Sequence, residues 1–123
     1  MALRCLIVDD SDHFKEAARL LLEADGIAVV GTASTSAGAL RRFRELRPDL
    51  VLVDIDLGEE SGFDVVLRLC AEAGRHRPSI ILISTYDEQD FAEMIASSPA
   101  VAFLSKARLS GRAIGEIIRK ANA

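Results

Sequence analysis

Cysteine, lysine and long apolar runs are all scarce in this 123-residue chain. The two cysteines, Cys5 and Cys70, stand far apart, each inside an apolar stretch, so they form neither a metal-type pair nor a disulfide framework. They read as buried reduced thiols, which fits a reducing cytosol. No apolar run approaches the roughly 18 residues of a spanning helix. The opening segment also reaches Asp9-Asp10 too soon for a signal peptide. The expectation is a cytoplasmic protein with no membrane partner. Lysine is confined to Lys15, Lys106 and Lys120, and 15 Lys and Arg face 19 Asp and Glu, for a formal charge of −4. That balance excludes a protein whose main work is coating nucleic acid or anionic lipid, and it makes cation binding the natural expectation. The chain is long enough for one real core and too short for two ordinary domains, so residues 1–123 are expected to form one domain. No internal repeat or low-complexity tract is present, and no output domain is expected within these residues.

What is abundant is a rhythm. Five almost purely apolar runs recur at even spacing: Cys5 to Val8, Ile27 to Val30, Leu50 to Val53, Ile80 to Ile83 and Val101 to Leu104. Strands that are apolar at every position must be covered on both faces, the habit of parallel sheets. The stretches between them read as helices. Phe14, Ala17, Ala18, Leu21 and Leu22 follow a cap at Ser11 or Asp12 and stop near Gly26. Ala39, Phe43 and Leu46 stripe a second helix that must end before Pro48, its other face basic with Arg41, Arg42, Arg44 and Arg47. Phe63, Val66, Leu67 and Cys70 stripe a third; Phe91, Met94 and Ile95 a short fourth ending before Pro99; Ile114, Ile117, Ile118 and Ala121 a fifth. Alternating strands and helices with right-handed crossovers give an α/β fold, a doubly wound open parallel sheet of five strands in the order 2-1-3-4-5.

In such sheets ligands bind beyond the carboxyl ends of the strands. The residues there are Asp9 and Asp10 after the first run, Asp54 with Asp56 after the third, Ser84 after the fourth and Lys106 after the fifth; the second, ending at Gly31, offers little. Carboxylates sharing one crevice repel one another unless a cation neutralises them. Hard oxygen ligands with open water positions suit Mg²⁺. A metal and a lysine bracketing a carboxylate can stabilise the oxygens of a transferring phosphoryl group while that carboxylate attacks phosphorus. These four carboxylates also account for the whole formal excess of negative charge.

Asp9-Asp10, Asp54 within Pro48-Asp49-Leu50-Val51-Leu52-Val53-Asp54-Ile55-Asp56-Leu57, Ser84 after Ile80-Ile81-Leu82-Ile83, and Lys106 after Phe103-Leu104-Ser105 together resemble the receiver domain of two-component response regulators. The resemblance covers the whole chain and, more weakly, points to receivers joined to helix-turn-helix DNA-binding outputs. It implies that Asp54 accepts a phosphoryl group from a histidine kinase or phosphotransfer protein. It implies Mg²⁺ held by Asp10, Asp54 and the Asp56 backbone carbonyl, with Asp9 acting through a metal-bound water. Lys106 would contact the phosphoryl oxygens. Ser84 would be the switch hydroxyl and Phe103 the switch aromatic, altering the face made by the fourth helix, fifth strand and fifth helix, through which an output domain or downstream protein is controlled. A homodimer is compatible with it; direct nucleic-acid binding by these residues is not expected.

The chain departs from the family pattern at Gly58 and Ala107, where prolines are common and a glycine or alanine loosens the backbone. Pro99 stands where a glycine often closes the fourth helix. Thr85 is larger than usual and is expected to narrow phosphoryl access, while Asp56 and Tyr86 flank the path of hydrolytic water and are expected to tune phosphate lifetime. Two alternatives stay open: a haloacid-dehalogenase-like phosphatase using Asp54 as nucleophile and Asp56 as acid/base, and a receiver-like interaction domain that no longer cycles phosphate. On the leading reading the chain is a signalling switch and not a turnover enzyme. A flavodoxin-like nucleotide binder is disfavoured by the acidic turn Asp9-Asp10-Ser11-Asp12. The histidines, His13 and His76, read as surface residues, and the arginine face of the second helix as solvated.

Overall fold

Strands apolar on both faces demand helices above and below, and the chain supplies them. The computed structural model describes residues 2–122. In chain order it has β1 (Arg4–Val8), α1 (Asp12–Ala24), β2 (Ala28–Ala33), α2 (Ser36–Leu46), β3 (Leu50–Asp54), a small hairpin of β4 (Asp56–Leu57) and β5 (Glu60–Ser61), α3 (Gly62–Ala73) and β6 (Ser79–Ser84). A 3₁₀ turn (Glu88–Phe91) then leads into α4 (Ala92–Ser97), followed by β7 (Ala102–Ser105), a second 3₁₀ turn (Lys106–Arg108) and α5 (Gly111–Ala121). The main sheet runs β2-β1-β3-β6-β7 with every pairing parallel. With the hairpin set aside, this is the expected 2-1-3-4-5 order.

Alternate residues of one strand point to opposite faces, which divides the core in two. Leu6, Val8, Val51, Val53 and Leu82 pack with Phe43, Phe63, Val66 and Leu69 on the α2 and α3 side. Cys5, Ile7, Leu50, Leu52, Ile81 and Ile83 pack with Ala18, Leu22 and Ile114 on the α1 and α5 side. Four helices start on a hydroxyl cap: Ser11, Thr35, Ser61 and Ser110 accept from the backbone N–H of Phe14, Gly38, Phe63 and Ala113 at 3.0–3.2 Å. The two cysteines are unpaired; burial pushes the Cys5 thiol up to about 12, so it behaves as a small hydrophobe.

Several sequence expectations need correction. Strand β2 begins after Ile27 and continues past Gly31 to Ala33, because its backbone pairs with β1 as far as Val8↔Ala33 across a bulge between Cys5 and Leu6. The inward line of α1 is Phe14, Ala18 and Leu22, with the aliphatic stem of Lys15 beside it, while Ala17 and Leu21 face out. Leu67 and Met94 are likewise more than half exposed, and Ala121 is exposed at the end of α5. His76 is a part-buried surface histidine with its own contacts. Its ring nitrogen lies 2.8 Å from the Pro48 carbonyl and its ring tilts against Phe43. Helix α4 does stop at Ser97, two residues before Pro99.

Candidate functional site

The carboxyl edge of the sheet collects its polar residues by strand register. Asp9 leaves β1 with its N–H bonded to the Ala33 carbonyl at 2.9 Å, Asp54 is the last residue of β3, and Ser84 and Ser105 stand opposite each other at the ends of β6 and β7. Lys106 opens the 3₁₀ turn that follows. Two glycines shape the rim. A Cβ on Gly62 would collide with the carbonyl of Asp54, so only glycine lets α3 start this close to the end of β3. The Gly62 N–H donates to the Ile55 carbonyl at 2.7 Å and holds that approach. Gly58 has φ +75°, left-handed backbone that the proline common in the family, with φ near −65°, cannot adopt. The Ala107 N–H donates to Ser105 Oγ at 3.3 Å, a bond no proline could make. Neither position is simply a loosened proline.

Lys106 joins the two buried carboxylates. Its Nζ lies 2.7 Å from Asp9 Oδ2 and donates to Asp54 Oδ2 at 3.2 Å, and it sits 4.2 Å above the centre of the Phe14 ring. Phe14 is a contributor that the helical stripe disguised as core. Its position on the first turn after Asp9-Asp10 is the signal that places it at the rim. Asp9 is fully buried; its Oδ1 accepts from the Ser11 N–H at 2.9 Å, and its Oδ2 has the Lys106 ammonium as its ionic partner. Asp54 is 6% exposed, and its Oδ1 accepts from the Asp56 N–H at 3.2 Å.

The electrostatics follow from this crowding. Burial pushes the Asp54 carboxyl up to about 6, partly countered by the Asp56 N–H, reinforced by the charge of Asp9 and opposed by that of Lys106. Burial alone would lower Lys106, but the carboxylates of Asp9 and Asp54 override it and hold the ammonium above its usual range. Oxygens of Asp9, Asp10 and Asp54 lie within 4.8 Å of one another, so three hard ligands, two of them buried, suit a small divalent cation such as Mg²⁺.

The other expected residues are placed less centrally. The Asp56 side chain is exposed and accepts from the Gly58 N–H at 3.1 Å. Ser84 is buried and its Oγ accepts from the Tyr86 N–H at 3.0 Å. Among the described residues no hydrogen bond joins it to Asp54. Thr85 and Tyr86 are exposed, and Tyr86 leans edge-on against Phe91. Phe103 is half-buried and packs onto the α2 and α3 core beside Phe91 and Ile95.

A doubly wound parallel sheet whose carboxyl edge sets three aspartates against one lysine defines a class of flavodoxin-like α/β domains with an acidic rim. Within it, the chain belongs to the response regulator receiver domain family, whose model matches residues 5–118. The response regulator GacA of Pseudomonas viridiflava is 28% identical over 120 residues, 95% of this chain and 52% of that protein. A protein-glutamate methylesterase/protein-glutamine glutaminase of a Nocardioides species is 42% identical over 88 residues, 71% of this chain and 24% of that protein. The crystal structure of a LuxR-family two-component response regulator from Aurantimonas sp. SI85-9A1 superposes with a TM-score of 0.83 at 26% identity, covering 98% of this chain and 87% of that one. The chain spans about half or less of the length of these curated relatives. It is thus a receiver domain of the two-component type, with the expected likeness to LuxR-type receivers. No helix among the described residues is long and apolar enough to cross a membrane.

Proposed function

We propose that this receiver is a phosphorylation-dependent switch in which Asp54 takes a phosphoryl group from the phosphohistidine of a sensor kinase or phosphotransfer protein. One observation carries the reading: Lys106 Nζ stands between Asp9 and Asp54 on the edge where Asp10 also lies. An Asp54 carboxylate oxygen forms the new P–O bond as the P–N bond of the donor breaks, and the imidazole leaves with the electron pair and takes up a proton. Lys106 holds the Asp54 oxygen in place and offers its remaining donors to the equatorial oxygens as negative charge builds. Bound at Asp10, Asp54 and the Asp56 carbonyl, with Asp9 reached through water, Mg²⁺ would neutralise the charge crowded onto this edge.

Ser84 is the hydroxyl to move onto the aspartyl phosphate, exchanging its bond with the Tyr86 N–H, and Phe103 the aromatic that follows and reshapes the face of α4, β7 and α5. Asp56, Thr85 and Tyr86 border that approach and set the lifetime of the phosphate. The output lies outside the receiver fold, in a linked domain or a separate partner; transcription control is the output that relatives such as the transcriptional regulatory protein BtsR of Salmonella typhi suggest. The phosphatase reading is weaker, since Gly58, at φ +75°, fills the place of that signature's Thr or Val. A receiver that no longer cycles phosphate is disfavoured by the retained set of Asp9, Asp10, Asp54 and Lys106.

The test is incubation with Mg²⁺ and acetyl phosphate, followed by intact mass. One added phosphoryl group in the parent and none in Asp54→Asn is the expected result. No addition to the parent, or equal addition to both, refutes the assignment.

A further inference from the structure

Three of the exposed large apolar side chains, Leu67, Tyr86 and Met94, line one continuous trough. Its outer part, about 360 Å³, lies between Phe63 and Leu67 of α3 and Met94 of α4, with Glu93 on its lip. Its inner part, about 380 Å³, shares Phe63 and Met94 and runs past Phe91 and Tyr86 to Ile55 and the hairpin carboxylates Asp56, Glu59 and Glu60. The floor is a chain of rings, Phe63 to Phe91 to Tyr86, with centres 6.3 and 6.0 Å apart. Every charged side chain on this lining is a carboxylate, and residues 55–67 and 78–105 contain neither lysine nor arginine.

We propose that this trough docks a basic amphipathic helix of a partner protein in the groove between α3 and α4, which shares α4 with the face of α4, β7 and α5. Its outer walls are helices, whose backbone groups are mostly bonded internally, and the hairpin strands beside its inner part are two residues each, too short to seat an added strand. An occupant must therefore satisfy its own backbone, and a helix does. The aromatic and thioether floor takes an apolar stripe, with Met94 adapting its shape to what enters. The carboxylate rim selects lysine and arginine on the flanks and repels an anionic lipid surface. A second copy of this chain is a poor occupant through its arginine-rich α2, whose apolar residues Ala39 and Phe43 are buried in its own core. The inner end of the trough reaches Asp56 and Tyr86, next to the acceptor edge, but the docking itself requires no phosphoryl chemistry.

Tyr86 is the sole tyrosine and the chain has no tryptophan, so ultraviolet emission reports directly from the trough. The probe is a synthetic helix of about 18 residues with leucines at i, i+3, i+4 and i+7 and lysines and arginines on its flanks, free of aromatics. The parent should bind it with a saturable change in Tyr86 emission, and a scrambled peptide of the same composition should not reproduce that change. Leu67→Ser/Met94→Ser, at exposed positions that the fold does not need, should weaken binding at least about tenfold. Glu93→Lys should weaken it and flatten its salt dependence, while Leu20→Ser/Leu21→Ser on α1 should bind as the parent does. Overturning results are an equal response to the scrambled peptide, unchanged binding by the Leu67/Met94 variant, loss in the α1 variant instead, or self-association through the trough without peptide binding.

Discussion

The two ends of one parallel sheet handle charge in opposite ways. At the amino end, Asp49 Oδ2 accepts from the Arg4 N–H at 2.9 Å, the Arg4 guanidinium donates to the carbonyls of Leu46 and Arg47 at 2.7 and 3.2 Å, and His76 reaches the Pro48 carbonyl. Each of these polar groups meets a matched partner near water. At the carboxyl end, a single ammonium is shared by two buried carboxylates, and burial lifts Asp54 to about 6. Charge buried without full pairing costs stability. The contrast separates charge that supports the fold from charge held ready for chemistry.

Substitutions should break this contrast end by end. Asp54→Asn should remove phosphoryl incorporation entirely, seen by intact mass, while leaving the fold intact. Next in size, Gly62→Ala forces a Cβ onto the Asp54 carbonyl and should cost about 3 kcal/mol in urea unfolding. Lys106→Met leaves Asp9 and Asp54 facing each other without a cation. It should slow phosphoryl incorporation by roughly a hundredfold, measured as the rate of mass gain from acetyl phosphate. At the opposite end, Asp49→Ala loses one hydrogen bond to Arg4 and should cost only about 1 kcal/mol, with the rate of incorporation unchanged. A large kinetic effect of Asp49→Ala would dissolve the distinction between the two ends.

Much of this division was legible before any coordinates. All-apolar runs marked the strands and their cover, and Asp9, Asp10, Asp54 and Lys106 each follow such a run, so register alone brought them to one edge. Side-chain direction was less legible. Helical spacing admits both i+3 and i+4 neighbours, so Leu21, Leu67 and Met94 read as core although each projects outward. The extension of β2 through Gly31 and Thr32 rests on backbone pairing with β1, which carries no side-chain signature. The hairpin β4 to β5 depends on Gly58 taking left-handed backbone where the family pattern suggested a lost proline. Phe14 beneath Lys106 and His76 against Pro48 are tertiary contacts of residues whose types fit a core stripe and a surface equally well.

The central claim is that Asp54 is held at a cost which a cation or a proton relieves. Its folded value of about 6 lies above the ordinary 3.8, so the folded state binds that proton more tightly. The resulting stability is fully present below 3.8 and is lost as pH rises through 6, a difference on the order of 2–3 kcal/mol. The decisive measurement is the unfolding free energy of the parent and of Asp54→Asn between pH 4 and pH 8, with and without Mg²⁺. The account predicts that the variant is the more stable at pH 8, that the gap closes as pH falls from 6 toward 4, and that Mg²⁺ stabilises the parent more than the variant. A variant less stable than the parent at pH 8, or a gap that ignores both pH and Mg²⁺, would contradict it.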